Sequence, residues 1–206
     1  MNLFRNSRCS VAAITGTLFL FSVIDASACA CCTDPGEYRL TPNQSVGEHE
    51  RTQLDGMKFA PAARLYLTDA GDEEVKGLSS ISQTNTVSAV LEAKRWRLTF
   101  RAEDGKTGVL TLPVPPKMTV FAADIHDGEA EEAPQLYKEW RFEGVATGDG
   151  IFHASFTAPA RYTLIFQGRG NRCDNGEDFT HWRLEISGKK ASYAFFGDLG
   201  ADGETP

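Results

Sequence analysis

Trp96-Arg97-Leu98-Thr99-Phe100 decides the fold class. Its large apolar residues recur at every second position with a charge and a hydroxyl between them, the period of a half-buried strand. Trp96 and Leu98 are expected to face a core and Arg97 to face solvent. Upstream, Val87 to Leu91 reads as a strand. Downstream, Glu103-Asp104-Gly105-Lys106 is a hairpin turn, because Asp-Gly tolerates the positive φ angles such turns need. Val109-Leu110-Thr111-Leu112 is the return strand. Pro113, Pro115 and Pro116 do not fit inside a central ladder and mark an edge or a crossover. Met118-Thr119-Val120-Phe121 then begins another strand.

The plan recurs further along. At a constant offset of 44, Trp96, Arg97 and Leu98 correspond to Trp140, Arg141 and Phe142, and Leu112, Pro115, Lys117, Thr119 and Val120 correspond to Phe156, Pro159, Arg161, Thr163 and Leu164. In this second unit Trp140-Arg141-Phe142 is a strand, Thr147 to Gly150 a turn, Ile151 to Phe156 the return strand, and Arg161 to Phe166 the third strand. A shorter third copy opens with Trp182-Arg183-Leu184-Glu185-Ile186 and returns over Ala191 to Phe196. A repeat of this length points to stacked supersecondary units, but a propeller needs more blades and a trefoil needs three equal ones. The expectation is an all-β chain: an antiparallel β-sandwich or barrel of about nine to eleven strands with an internally duplicated three-strand unit and an extended N-terminal arm. Further strands are read at Tyr38 to Leu40 and Arg64 to Thr68. No segment is patterned as an amphipathic helix of useful length.

The N-terminus reads as an export signal. Met1 to Ser10 carries Arg5 and Arg8 and no acid, Val11 to Ile24 is an apolar run shorter than the ~20 residues a spanning helix needs, and Ala26-Ser27-Ala28 supplies an A-x-A cleavage site. The reading divides the chain into a signal peptide (1–28), a Cys-rich extended arm (29–56) and a β-sandwich domain (57–206). Cleavage after Ala28 makes Cys29 the first residue, and Ala28-Cys29-Ala30 offers a second site after Ala30. A cysteine at the cut raises an N-terminal lipid anchor, but Ala26 stands where lipoprotein signals usually carry Leu. Localisation is therefore read as periplasmic or extracellular, with no transmembrane segment in the mature chain. Losing Arg5, Arg8 and Asp25 moves the formal net charge from −7 to −8. That balance argues against nucleic acid as partner and leaves an unknown protein or small ligand.

Cysteine chemistry is concentrated at the start: Cys29-Ala30-Cys31-Cys32, with Cys173 about 140 residues downstream. In an oxidising compartment four cysteines suggest two disulfides with three connectivities open, and a bond from Cys173 to the arm closes a loop for which chain entropy predicts about 5 kcal/mol. The alternative is a transition-metal centre. Cys29, Cys31, Cys32 and Cys173 supply thiolates suited to Cu or Zn, and His126 or His181 supplies an imidazole. A strained or leftover thiol pair defines a third reading, thiol–disulfide redox.

Two polar loops carry the other candidates. Asp124 to Pro134 contains Asp127, Glu129 and Glu131, and Gly168 to Thr180 contains Asp174-Asn175-Gly176-Glu177-Asp178. Their oxygens raise calcium, although the spacing departs from the twelve-residue calcium loop. Equivalence of the units would bring both loops, and with them the cysteine arm, to one end of the fold, the expected binding end. His49 is read as exposed in a flexible arm and His153 as half-buried on a strand. No nucleophile elbow or H-E-x-x-H is present. The leading reading is an exported, non-enzymatic binding or interaction protein whose CxCC segment is tied by disulfide to the Cys173 loop.

Overall fold

The computed structural model describes residues 31–67, 84–125 and 135–200. In chain order these form β1 (Tyr38–Ser45), α1 (Glu48–Gly56), β2 (Phe59–Leu67), β3 (Thr84–Leu91), β4 (Arg95–Arg101), β5 (Thr107–Pro113), β6 (Lys117–Asp124), β7 (Leu136–Gly150), β8 (Ala160–Gly170), β9 (Phe179–Gly188) and β10 (Ala191–Leu199). All pairings are antiparallel. Eight strands close a barrel in the order β7-β5-β4-β3-β2-β10-β9-β8, with β8 returning to β7. Strand β7 makes the closure because it is long. On one edge it pairs β6 from Leu136 to Arg141 and then β5 from Thr147 to Gly150, and on the other it runs beside β8 from Leu136 to Ala146. The β6–β1 ribbon leaves the barrel at this split.

The alternation in Trp96 to Phe100 is realised as expected: Trp96, Leu98 and Phe100 are buried and Arg95, Arg97, Thr99 and Arg101 exposed. Gly105 turns the β4–β5 hairpin with φ +81°, where its neighbour Asp104 accepts from the Lys106 amide. The three tryptophans sit near one end of the barrel, each on a strand that starts there, and are at most 2% exposed. They make edge or tilted contacts with Phe142, Phe179 and Phe59 at 5.0, 4.9 and 5.1 Å. An eight-stranded barrel has an interior that side chains can fill, and here the lumen is core. Phe100 packs on Phe195 at 4.2 Å, and Phe142 on Phe166 at 5.9 Å.

The 44-residue offset keeps the inward phase: Met118, Val120 and Ala122 in β6 and Tyr162, Leu164 and Phe166 in β8 are all buried. Connectivity differs in the second unit. Thr147 to Gly150 is strand rather than turn, because β5 needs a partner there, and residues 151–156 form turns and a short 3-10 segment instead of a return strand. Ile151 and Phe152 are consecutive and both buried, which one strand face does not permit. They plug the far end of the barrel, Phe152 against Phe100 at 5.5 Å and Phe195 at 5.9 Å. His153 accordingly lies exposed in a turn rather than half-buried on a strand.

The arm is more structured than its reading as an extended segment with one short strand at Tyr38 to Leu40. Residues 38–45 are a full strand on β6, and Glu48–Gly56 is a helix whose Glu50 carboxylate accepts from the Gly47 amide at 2.9 Å. The helix is short and anchors itself through one buried side chain, Leu54, so no apolar stripe announces it. It lies across the tryptophan end, where Arg51 donates to the Ala93 carbonyl at 2.9 Å.

Candidate functional site

Cys31 and Cys173 are joined by a disulfide with Cα atoms 4.9 Å apart. The β8–β9 loop that carries Cys173 stands at the tryptophan end of the barrel, beside the last residue of β6 and the first of β7: Asp124 pairs Leu136, which pairs Gly170. The two ends read from sequence as equivalent do meet there. Around the disulfide the arm is held by polar contacts. The Arg172 amide donates to the Cys31 carbonyl at 3.2 Å, and the Arg172 guanidinium bonds Glu37 at 3.1 Å and Asp34 at 3.5 Å. Asp124 accepts from the Gly36 amide at 2.8 Å.

The acidic loop is occupied by the protein's own cations. Lys138, 1% exposed, donates to Asp178 at 2.7 Å and to the Cys173 carbonyl, and lies 3.8 Å from Asp174. Arg39 reaches Asp174 at 3.3 Å. From α1, the Gln53 side-chain oxygen accepts from the Gly176 amide at 2.7 Å, and His49 Nε2 lies 2.9 Å from the Asp174 carbonyl. His49 is therefore an exposed helical residue with a loop contact, not part of a flexible arm. Gly168 has no side chain because the loop returns over it: a Cβ there would lie 1.8 Å from the Asp178 carbonyl oxygen. The end that sequence marks for binding is bound by the arm itself.

The six candidate metal ligands are thus distributed. Cys31 and Cys173 are bonded to each other, and Cys32 is free and exposed beside them. Cys29 and His126 lie outside the described residues, as do Asp127, Glu129 and Glu131. His181 is exposed on the outer wall, on β9. Among the described residues no group of three or more His, Cys, Asp or Glu side chains is placed to hold a metal ion.

The outer wall carries a site that sequence did not single out. One row of outward residues crosses five strands in register: Phe121, Glu139, Gln167, His181 and Asp198. Two hollows share Gln167 and His181. One, of about 430 Å³, is also lined by Arg64, Phe196, Gly197 and Asp198, and the other, of about 530 Å³, by Tyr137, Gly168, Arg169 and Thr180. The Thr180 hydroxyl lies 2.8 Å from His181 Nδ1, and Nε2 lies 3.4 Å from Asp198. Donation from Thr180 to Nδ1 places the ring proton on Nε2, toward Asp198.

Glu139 is the fixed point of this wall, its side chain 8% exposed. It accepts from the Tyr137 hydroxyl at 2.5 Å, from Gln167 Nε2 at 3.1 Å and from Arg141. Burial alone raises a carboxyl pKa, but these three donors together hold Glu139 below its ordinary value of 4.5. Burial and then the Glu139 carboxylate push the Tyr137 phenol up to about 12. A carboxyl with a lowered folded pKa stabilises the fold above its unfolded pKa, and that contribution disappears as pH falls through the folded value. Glu139→Gln is therefore expected to be less stable than the parent at neutral pH. The gap should begin to close only below about pH 4.3, measured by urea unfolding across a pH series. A gap that is the same at every pH would mean that the carboxylate charge contributes nothing.

The signal for this cluster was present but subtle. Leu136, Lys138, Trp140 and Phe142 share one inward phase, so Lys138 is a cation written into a core position. Glu139 lies in the outward phase yet is buried, which only the neighbouring β6 and β8 explain. No family model matches this chain, and neither a curated protein nor a solved structure is found to resemble it.

Proposed function

We propose that this chain is an exported, non-enzymatic binding protein in which the Cys31–Cys173 bond fixes the arm and the outer trough around Gln167 and His181 receives a small polar ligand or a partner's side chains. The observation that carries this reading is a contrast within the molecule. The lumen is filled with aromatic side chains and the disulfide end is satisfied by its own ion pairs, whereas the trough is concave and keeps Arg64, Arg169 and His181 exposed beside a rigid Glu139–Gln167 ladder. Ligand sites combine concavity with a few positioned polar groups, and rigid strands hold such groups better than loops do.

The test is nuclear magnetic resonance titration of the isotope-labelled mature chain with a panel of amino acids, monosaccharides and dicarboxylates. Shift changes should cluster at Gln167, Thr180, His181 and Phe196 and be abolished by His181→Ala. Changes confined to residues 171–178, or none with any probe, would sink the reading. Metal analysis and mass spectrometry of protein purified without reductant separate the staple from the copper or zinc alternative. The staple requires Cys31 and Cys173 oxidised. One retained Cu or Zn with both thiols free would replace it.

A further inference from the structure

The three Trp-Arg-Leu/Phe copies differ in one respect that bears on binding. Arg141 and Arg183 each pair with a glutamate two residues away on the same strand face, Glu139 and Glu185, the latter pair at 2.5 Å. Arg97 has Arg95 and Thr99 at those positions, and Arg101 follows in the same phase. Across β3, β4 and β5 the outward rows are Val90–Arg97–Thr111, Ser88–Thr99–Val109 and Thr86–Arg101–Thr107. None of these nine residues is acidic, and among the described residues neither Arg97 nor Arg101 has a carboxylate partner. Arg95, one step further along, pairs only with exposed Glu92 at 3.2 Å. In a chain of net charge −7, this is a cationic strip along β4, with acids only at its margins: Glu92 at the Arg95 end and Asp149 opposite Val109.

We propose that the outer face of β3, β4 and β5 binds an extended anionic polysaccharide lying along β4. Charge complementarity gives the sign of the partner. Its shape follows from the layout: at 3.3–3.4 Å per residue, Arg97 stands about 7 Å from Arg95 and about 13 Å from Arg101, one line of cations rather than a broad patch. A flat anionic membrane or a nucleic-acid duplex would also meet the acidic remainder of the surface. A single narrow chain meets only the line. Thr86, Ser88, Thr99, Thr107 and Thr111 flank the arginines with hydroxyls that both donate and accept, which suits the hydroxyls between a polysaccharide's anionic groups. This face is separate from the trough and does not depend on it.

The experiment is retention of the mature chain on immobilised heparin, with affinity measured by calorimetry. The parent should bind, and more weakly as salt rises. Arg97→Glu/Arg101→Glu should weaken binding by about thirtyfold or more, since one arginine near an anionic surface is worth about fivefold. Arg161→Glu/Lys189→Glu, an equal change of net charge on β8 and the β9–β10 turn, should leave binding within about twofold. Thermal melts of both variants must match the parent; if the first pair melts early, Arg97→Gln/Arg101→Gln replaces it, with the same loss expected. No binding by the parent, equal loss in both pairs, or binding to phosphatidylglycerol vesicles but not to heparin would each overturn the proposal.

Discussion

Replacing Cys31 and Cys173 together by serine is expected to lower the unfolding free energy by about 5 kcal/mol relative to the oxidised parent, and by no less than about 2 kcal/mol. The bond joins residues 142 positions apart, so in the unfolded chain it closes a loop that contains β1 to β8 and leaves only β9 and β10 outside. Most of its effect is therefore a restriction of the unfolded ensemble rather than a contact in the folded one. The Cα separation of 4.9 Å lies inside the normal range, so no rearrangement of the loop is needed to form it. Urea unfolding of the double variant and of the parent in reductant should give the same midpoint. Cys32→Ser is the control, because Cys32 is exposed and unbonded, and it should change stability by less than about 0.5 kcal/mol. If Cys32→Ser proves as costly as Cys31→Ser, the arm is held through the other thiol and the connectivity is wrong.

That pairing shows how far the chain could be read in advance. Sequence limits the partner of Cys173 to the N-terminal cluster but does not choose among Cys29, Cys31 and Cys32, since neighbours in an extended arm reach the same loop with small backbone changes. The choice is made by contacts that fix the arm's register: β1 on β6, Asp124 on Gly36, and Arg172 on Glu37. Strand identity was legible wherever one face is buried and the other wet, as in β4 and β9, because alternation is then written into the residues. It failed at 151–156, where two adjacent apolar residues plug the barrel end and alternation has no meaning. The closed order was not legible at all. It depends on β7 being long enough to serve β6 and β5 in turn, a length hidden by Gly148 and Gly150, which read locally as a turn.

The trough was illegible for a related reason. Glu139, Gln167, His181 and Asp198 lie on four strands and meet only through register, so no spacing in one segment exposes them. Glu139, Gln167 and Asp198 alone carry no signal of a site, and His181 reads only as a candidate metal ligand. What makes them a unit is the ladder of β7, β8, β9 and β10, which sets Glu139 opposite Gln167, Gln167 opposite His181, and His181 opposite Asp198. The proposed function follows from that ladder and from the loss of the alternative sites: a lumen given over to core and a loop whose carboxylates are already paired.

Lys138→Met should be the most damaging single change at the disulfide end, at about 3–5 kcal/mol. Its ammonium is buried at the barrel mouth, over the Phe179 ring at 5.8 Å, and bonds Asp178 and the Cys173 carbonyl. Side chains of Asp178 and Asp174 are only 15% and 16% exposed. Removing the cation leaves the Asp178 carboxylate and the Cys173 carbonyl facing an apolar chain, while Asp174 keeps Arg39, and the cost is that of the stranded groups rather than of the bond. Two comparisons separate this account from simple loss of packing. Methionine keeps most of the lysine's volume, so a packing effect alone would cost less than about 1.5 kcal/mol. Adding Asp178→Asn removes one stranded charge, so the double variant should be less destabilised than the sum of the singles by about 1–3 kcal/mol. Strict additivity would show that Lys138 and Asp178 act independently. Because Lys138 also holds the residue at the disulfide, the cost of Lys138→Met should fall when Cys31 and Cys173 are serines. Without the bond, the loop can swing its carboxylates back into water.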